Sequence, residues 1–158
     1  MSIFFSASEI FQFAIKIEEN GEEFYRLIAE KTEAAEVKNI FAYLAGEEAK
    51  HKTIFQDMLG RVEKYEPPES YPDEYFAYLK AYASELVFTK EKKGQVMAGQ
   101  MKTVPEAIEF GIRIEIDSIL YYLEVKNLVP ENQKTIIDKI VEEERRHYLK
   151  LLAVKKKW

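Results

Sequence analysis

Two histidines are the only imidazoles in this 158-residue chain, and both stand in the same local pattern, Glu48-Ala-Lys-His51 and Glu144-Arg-Arg-His147. On a helix, residues three apart share a face, so each pair turns one carboxylate and one imidazole to the same side. The surroundings repeat as well, Glu47 with Glu143, Leu44 with Ile140, Ala45 with Val141 and Phe55 with Leu151, always 96 positions apart. A second repeat is displaced by 97: Glu18 and Tyr25 are seven apart, as are Glu115 and Tyr122. Ile15 and Ile112 precede those glutamates by three, and the small residues Gly21 and Ser118 follow them by three. The chain therefore reads as two copies of one helix hairpin.

The glutamates lie on apolar stripes. Glu115 shares its face with Ile108, Gly111, Ile112, Ile119 and Tyr122, and Glu18 shares its own with Phe11, Ala14, Ile15, Gly21 and Tyr25. Four carboxylates aimed into one core are unfavourable, because each buried ion costs several kcal/mol and the four repel one another. Two divalent cations resolve the conflict: four negative charges balance two ions, and one neutral imidazole serves each. A glutamate from each of two helices, with Glu-x-x-His from each of two others, is the ligand set of the di-iron and di-manganese carboxylate bundles. Carboxylate with imidazole suits iron, and manganese also fits.

Such a site needs four long helices, and the periodicity supplies them. The first starts near Ser6, where Ser6 and Glu9 have capping-box spacing, and runs through Tyr25 and Ile28. The second begins after Thr32 and stops near Gly60; the third opens with Thr103, Pro105 and Glu106 and reaches about Leu128; the fourth starts at Pro130. Prolines 67, 68 and 72 break the pattern in the long connection Val62–Lys102, where Asp73–Phe88 reads as a further helix and Lys90–Gly94 as a solvated turn. Short links within pairs and a long one between them predict an all-α, ferritin-like four-helix bundle with one long crossover containing a short helix, residues 1–158 forming one domain.

Composition narrows the function further. No cysteine is present, which excludes disulfides, thiolate metal sites and cysteine nucleophiles. With 28 acidic against 23 basic residues, nucleic acid is not an expected partner. No stretch approaches the roughly 20 uncharged residues needed to span a bilayer, and Glu9 interrupts any apolar signal core, so a cytoplasmic protein without a membrane partner is expected.

The segments Ala14-Ile-Lys-Ile-Glu18 through Phe24-Tyr25, and Gly46-Glu-Glu48-Ala-Lys-His51, resemble the first two helices of the rubrerythrin branch of the ferritin-like superfamily, and the likeness extends over essentially the whole chain. That resemblance implies two iron ions held by Glu18, Glu48, His51, Glu115, Glu144 and His147. Glu48 and Glu144 would bridge, Glu18 and Glu115 would be terminal, and Tyr25 and Tyr122 would hydrogen-bond near the cluster. It also implies reduction of peroxide or dioxygen by a cytoplasmic homodimer. Typical members carry a four-cysteine rubredoxin-like iron site; this chain has no cysteine, so electrons would come from a separate donor protein. An extra glutamate that many members place one turn after the third-helix ligand is Ser118 here. Iron storage with ferroxidase activity, and a di-manganese catalase, are the alternative readings.

Other residues receive plainer expectations. Glu47 and Glu143 are expected to face solvent, and Glu22 to stay outside the ligand set. The aromatic stretch Tyr71–Phe88 should cover the bundle or form a dimer contact. Lys155–Lys157 reads as a frayed basic end.

Overall fold

The computed structural model describes residues 7–61, 73–82 and 93–158, and these fold as helices, with no strand among the described residues. In chain order the helices are α1 (Ala7–Lys31), α2 (Ala35–Arg61), α3 (Asp73–Ala81), α4 (Gly94–Gln100), α5 (Val104–Lys126) and α6 (Glu131–Lys155). The expected cap at Ser6, the prolines at 67, 68 and 72, and residues 83–92 lie outside the described residues.

Helix ends follow local chemistry. Thr103 caps α5, its hydroxyl accepting from the Glu106 amide at 3.3 Å, with Pro105 in the first turn. The Glu106 carboxylate closes the same turn one residue earlier than a standard capping box, accepting from the Lys102 amide at 2.8 Å. Thr32 does not cap α2. Its hydroxyl turns back to donate to the Ile28 carbonyl at 2.6 Å, and α2 begins three residues later.

Hairpin α1–α2 lies against hairpin α5–α6, with α1 meeting α5 and α2 meeting α6, which makes a four-helix bundle with one crossover. The core falls into two apolar layers. One gathers Phe11, Ile17, Phe55, Tyr122, Val125 and Ile140; the other gathers Phe24, Ile28, Phe41, Leu44, Ile108 and Leu151. Between them, in every one of the four long helices, comes a charged residue: Glu18, Glu48, Glu115 and Glu144 are all buried.

The crossover carries two short helices, where the sequence reading has one. α3 covers the bundle as expected: Leu79 and Tyr82 join the first apolar layer, and the Tyr82 hydroxyl donates to the Asp117 carbonyl at 3.1 Å. Gly94 is not a solvated turn. It starts α4, is buried, and brings its backbone so close to α1 that a Cβ there would sit 2.1 Å from the Asn20 carbonyl oxygen. Lys31 then holds the far end of α4, its ammonium donating to the Met101 carbonyl at 2.8 Å. Nor is the basic C-terminus frayed. Lys155 pairs with Glu109 at 2.7 Å and Lys157 with Glu36 at 2.6 Å, tying the end of α6 to the starts of α5 and α2.

Candidate metal centre

All six residues singled out by the repeat meet in the polar layer. Their atoms form two overlapping groups, Glu18, Glu48, His51 and Glu144, and Glu48, Glu115, Glu144 and His147, each with one potential ligand atom per residue within 4.8 Å of the others. Glu48 and Glu144 belong to both groups; Glu18 with His51, and Glu115 with His147, each belong to one. Each histidine points Nδ1 inward. His51 Nδ1 is 3.6 Å from both Glu18 Oε2 and Glu48 Oε2, and 2.8 Å from Glu144 Oε1. His147 Nδ1 is 3.6 Å from Glu115 Oε2 and 3.4 Å from Glu144 Oε2.

The inward atoms have no hydrogen-bond partner. Glu18 Oε2, Glu48 Oε1, Glu115 Oε2, both Glu144 oxygens and both Nδ1 atoms are buried and unsatisfied, and the 2.8 Å approach of His51 to Glu144 is not aligned as a hydrogen bond. Buried polar atoms are ordinarily paired, and each one left alone costs roughly 1–3 kcal/mol. Seven converging on one place could serve as the coordination sphere of a bound cation. Two donors each about 2.1 Å from a hard cation and at right angles to one another lie about 3 Å apart, which is the scale of these separations. Carboxylate oxygens and imidazole nitrogen are the donor set iron or manganese takes. The residues therefore fit bound divalent metal.

Outward-facing atoms, by contrast, are engaged. The Tyr25 hydroxyl donates to Glu115 Oε1 at 2.6 Å and lies 3.2 Å from the Gly111 carbonyl. The Tyr122 hydroxyl donates to Glu18 Oε1. Each tyrosine thus serves the glutamate of the other hairpin, and not the one seven residues before it. Gly111 makes room: a Cβ there would meet the Tyr25 ring and Leu151 at 3.2 Å.

Glu47 and Glu143 are not purely solvent-facing. Glu143 Oε2 lies 2.8 Å from His51 Nε2, and Glu47 Oε2 lies 4.0 Å from His147 Nε2. Helical spacing alone obscured this, because both glutamates sit one position off the buried stripe and reach the rings by side-chain length. The recurrence of both glutamates at the same offset from their histidines, 96 positions apart in the repeat, was the available signal. Glu22 stays outside, paired with Lys52 at 2.7 Å.

The electrostatics of the site are those of a crowded acid cluster. Burial, then the charge of Glu18, pushes Glu48 well above the ordinary carboxylate range; burial, then Glu144, does the same for Glu115. Burial and Glu48 oppose the charge on Glu144, but Glu115, His147 and His51 outweigh them and hold it low. Burial disfavours protonated imidazoles, yet the surrounding carboxylates raise His51 and push His147 up to about 11. Burial, then Glu115 for Tyr25 and Glu18 for Tyr122, keeps both phenols protonated and able to donate. Among the described residues, no helix is long and apolar enough to cross a membrane.

Residues 9–155 match the family model for rubrerythrin. A solved structure from Thermotoga maritima, described as a ferritin-like diiron-carboxylate protein, is 30% identical with a TM-score of 0.67, the alignment covering 96% of this chain and 95% of that one. A hypothetical protein from Pyrococcus furiosus is 26% identical with a TM-score of 0.72, over 96% of this chain and 89% of the other. None of the curated proteins matches.

Proposed function

The chain belongs to the rubrerythrin family, and from that premise we propose that it is a di-iron carboxylate redox protein reducing peroxide or dioxygen with electrons from a separate donor protein. The observation that carries this reading is the set of seven buried, unpartnered donor atoms converging from four helices. Glu18 and His51 would hold one ion and Glu115 and His147 the other, with Glu48 and Glu144 reaching both. A di-iron centre held there would supply two electrons, the number that breaks one peroxide O–O bond.

The chain's own residues set the conditions. Tyr25 and Tyr122 fix Glu115 and Glu18 by donating to their outer oxygens, leaving the inner ones free to bind. The apolar layers on either side restrict water to what the reaction admits. Two electrons and two protons per peroxide must be returned, and with no cysteine the chain holds no iron–thiolate carrier of its own. On this reading the donor would be a second protein, and the family analogy extends to a cytoplasmic homodimer.

Anaerobic Fe(II) loading followed by stopped-flow addition of peroxide or oxygen tests the reading. The expected result is an optical change faster than for free Fe(II), with two electrons accepted per loaded chain. Failure to bind iron, or no acceleration, overturns it. Oxygen evolution from peroxide by the manganese form without reductant would point to a catalase, and a 24-subunit species on size exclusion to storage.

A further inference from the structure

The two halves of the centre are related by the repeat, yet their outer faces differ. Glu143 accepts from His51 Nε2 at 2.8 Å, whereas its counterpart Glu47 stops 4.0 Å short of His147. The cause lies in the cations beside them. Lys50 draws the other Glu47 oxygen to 2.5 Å, while Arg146, which occupies the position equivalent to Lys50, pairs with Glu142 at 2.9 Å and leaves Glu143 free. A second difference points the same way. His147 packs edge-on against the ring of Tyr43, centroids 6.1 Å apart at 89°, with the Lys150 ammonium over the same ring at 5.1 Å. The repeat puts Lys139 at the position equivalent to Tyr43, so the His51 half has no aromatic from that position.

A carboxylate behind a metal-binding imidazole fixes its tautomer and orientation and makes it a better donor; removing such a partner typically lowers metal affinity about 10- to 100-fold. We propose that the two metal positions are inequivalent, with Glu143 acting as a positioning residue that makes the Glu18–His51 position the tighter one. Lys50, by holding Glu47, deprives the Glu115–His147 position of the same support. This rests on the metal-binding reading above. The position at His51 fills first and empties last.

Anaerobic calorimetric titration of the metal-free protein with Fe(II) tests it. The wild type should bind in two steps with affinities about 10- to 100-fold apart. E143Q should weaken the tighter step by that factor and bring the two together, while E47Q leaves the tighter step as it was. K50M, which frees Glu47 to swing toward His147, should tighten the weaker step about two- to fivefold, the scale of an exposed ion pair. H147A should retain the tight step and H51A should lose it. Circular dichroism identifies a variant that has not folded, and the E143Q and E47Q pair, both altered at the protein's edge, then decides alone. Two equal steps in the wild type, or equal losses in E143Q and E47Q, overturn the inequivalence while leaving the metal site intact. Absence of any binding overturns the metal-binding reading instead.

Discussion

A phenol that crosses between hairpins before it meets a carboxylate ties two distant stretches of sequence with one proton. Y25F removes the bond to Glu115 while keeping the ring, so the metal-free protein should lose about 1–3 kcal/mol by urea unfolding. The charged cluster makes a further prediction with a definite sign. His147 rises from 6.5 unfolded to about 11 folded, so its contribution is complete below about 6.5 and is lost as pH climbs toward 11. Glu48 and Glu115 are raised from 4.5, so they too contribute below that value and lose it as pH rises. Melting temperature of the metal-free protein should therefore fall between pH 6 and 9. Binding of Fe(II) must displace these same protons, so calorimetry in buffers of different ionisation heat should detect release from His51, His147, Glu48 and Glu115. The six clustered residues were readable from the sequence because spacing and repetition both point to them. The acceptor of each tyrosine was not: a seven-residue interval puts Tyr25 and Glu18 on one face but says nothing about which neighbouring helix the hydroxyl will reach.

Among the elements, α4 shows how close approach limits sequence choice. Its first residue, Gly94, presses on the Asn20 carbonyl, and backbone there has no freedom to yield as a side chain would. G94A should push α4 off α1 and destabilise the protein by about 1–3 kcal/mol in denaturant titration, the range of overpacked sites. At Gly111 the obstacle is side chains at 3.2 Å, so G111A should be milder and should show as altered Tyr25 absorbance or fluorescence. The long helices, of 23 to 27 residues, were readable from their apolar stripes, and α5 also from its Thr103 cap. The seven residues of α4, with glycine at 94 and 99, carry too little periodicity to distinguish a helix from a turn. Its existence depends on docking against α1, which is a tertiary fact.

At the scale of the whole molecule, two apolar layers hold a charged one between them. Ions that bind only the folded state should stabilise it by about 2.7 kcal/mol when free metal is one hundred times the dissociation constant. For a chain of this size that corresponds to a melting temperature higher by about 5–10 °C, which differential scanning calorimetry with and without Fe(II) or Mn(II) would read. H51A should abolish the larger part of that gain and E115A or H147A the smaller part, each lowering bound metal per chain. Connectivity was readable because a short link must bring its helices side by side; how the hairpins face each other was fixed only by the buried charges. The tyrosine cross-bonds give that facing a meaning. Every half lends its phenol to its sibling and borrows one in return, so a lone hairpin is an unfinished thing. Drawing the hairpins apart would break both phenol–carboxylate bonds at once, so neither repeat carries a finished polar layer by itself.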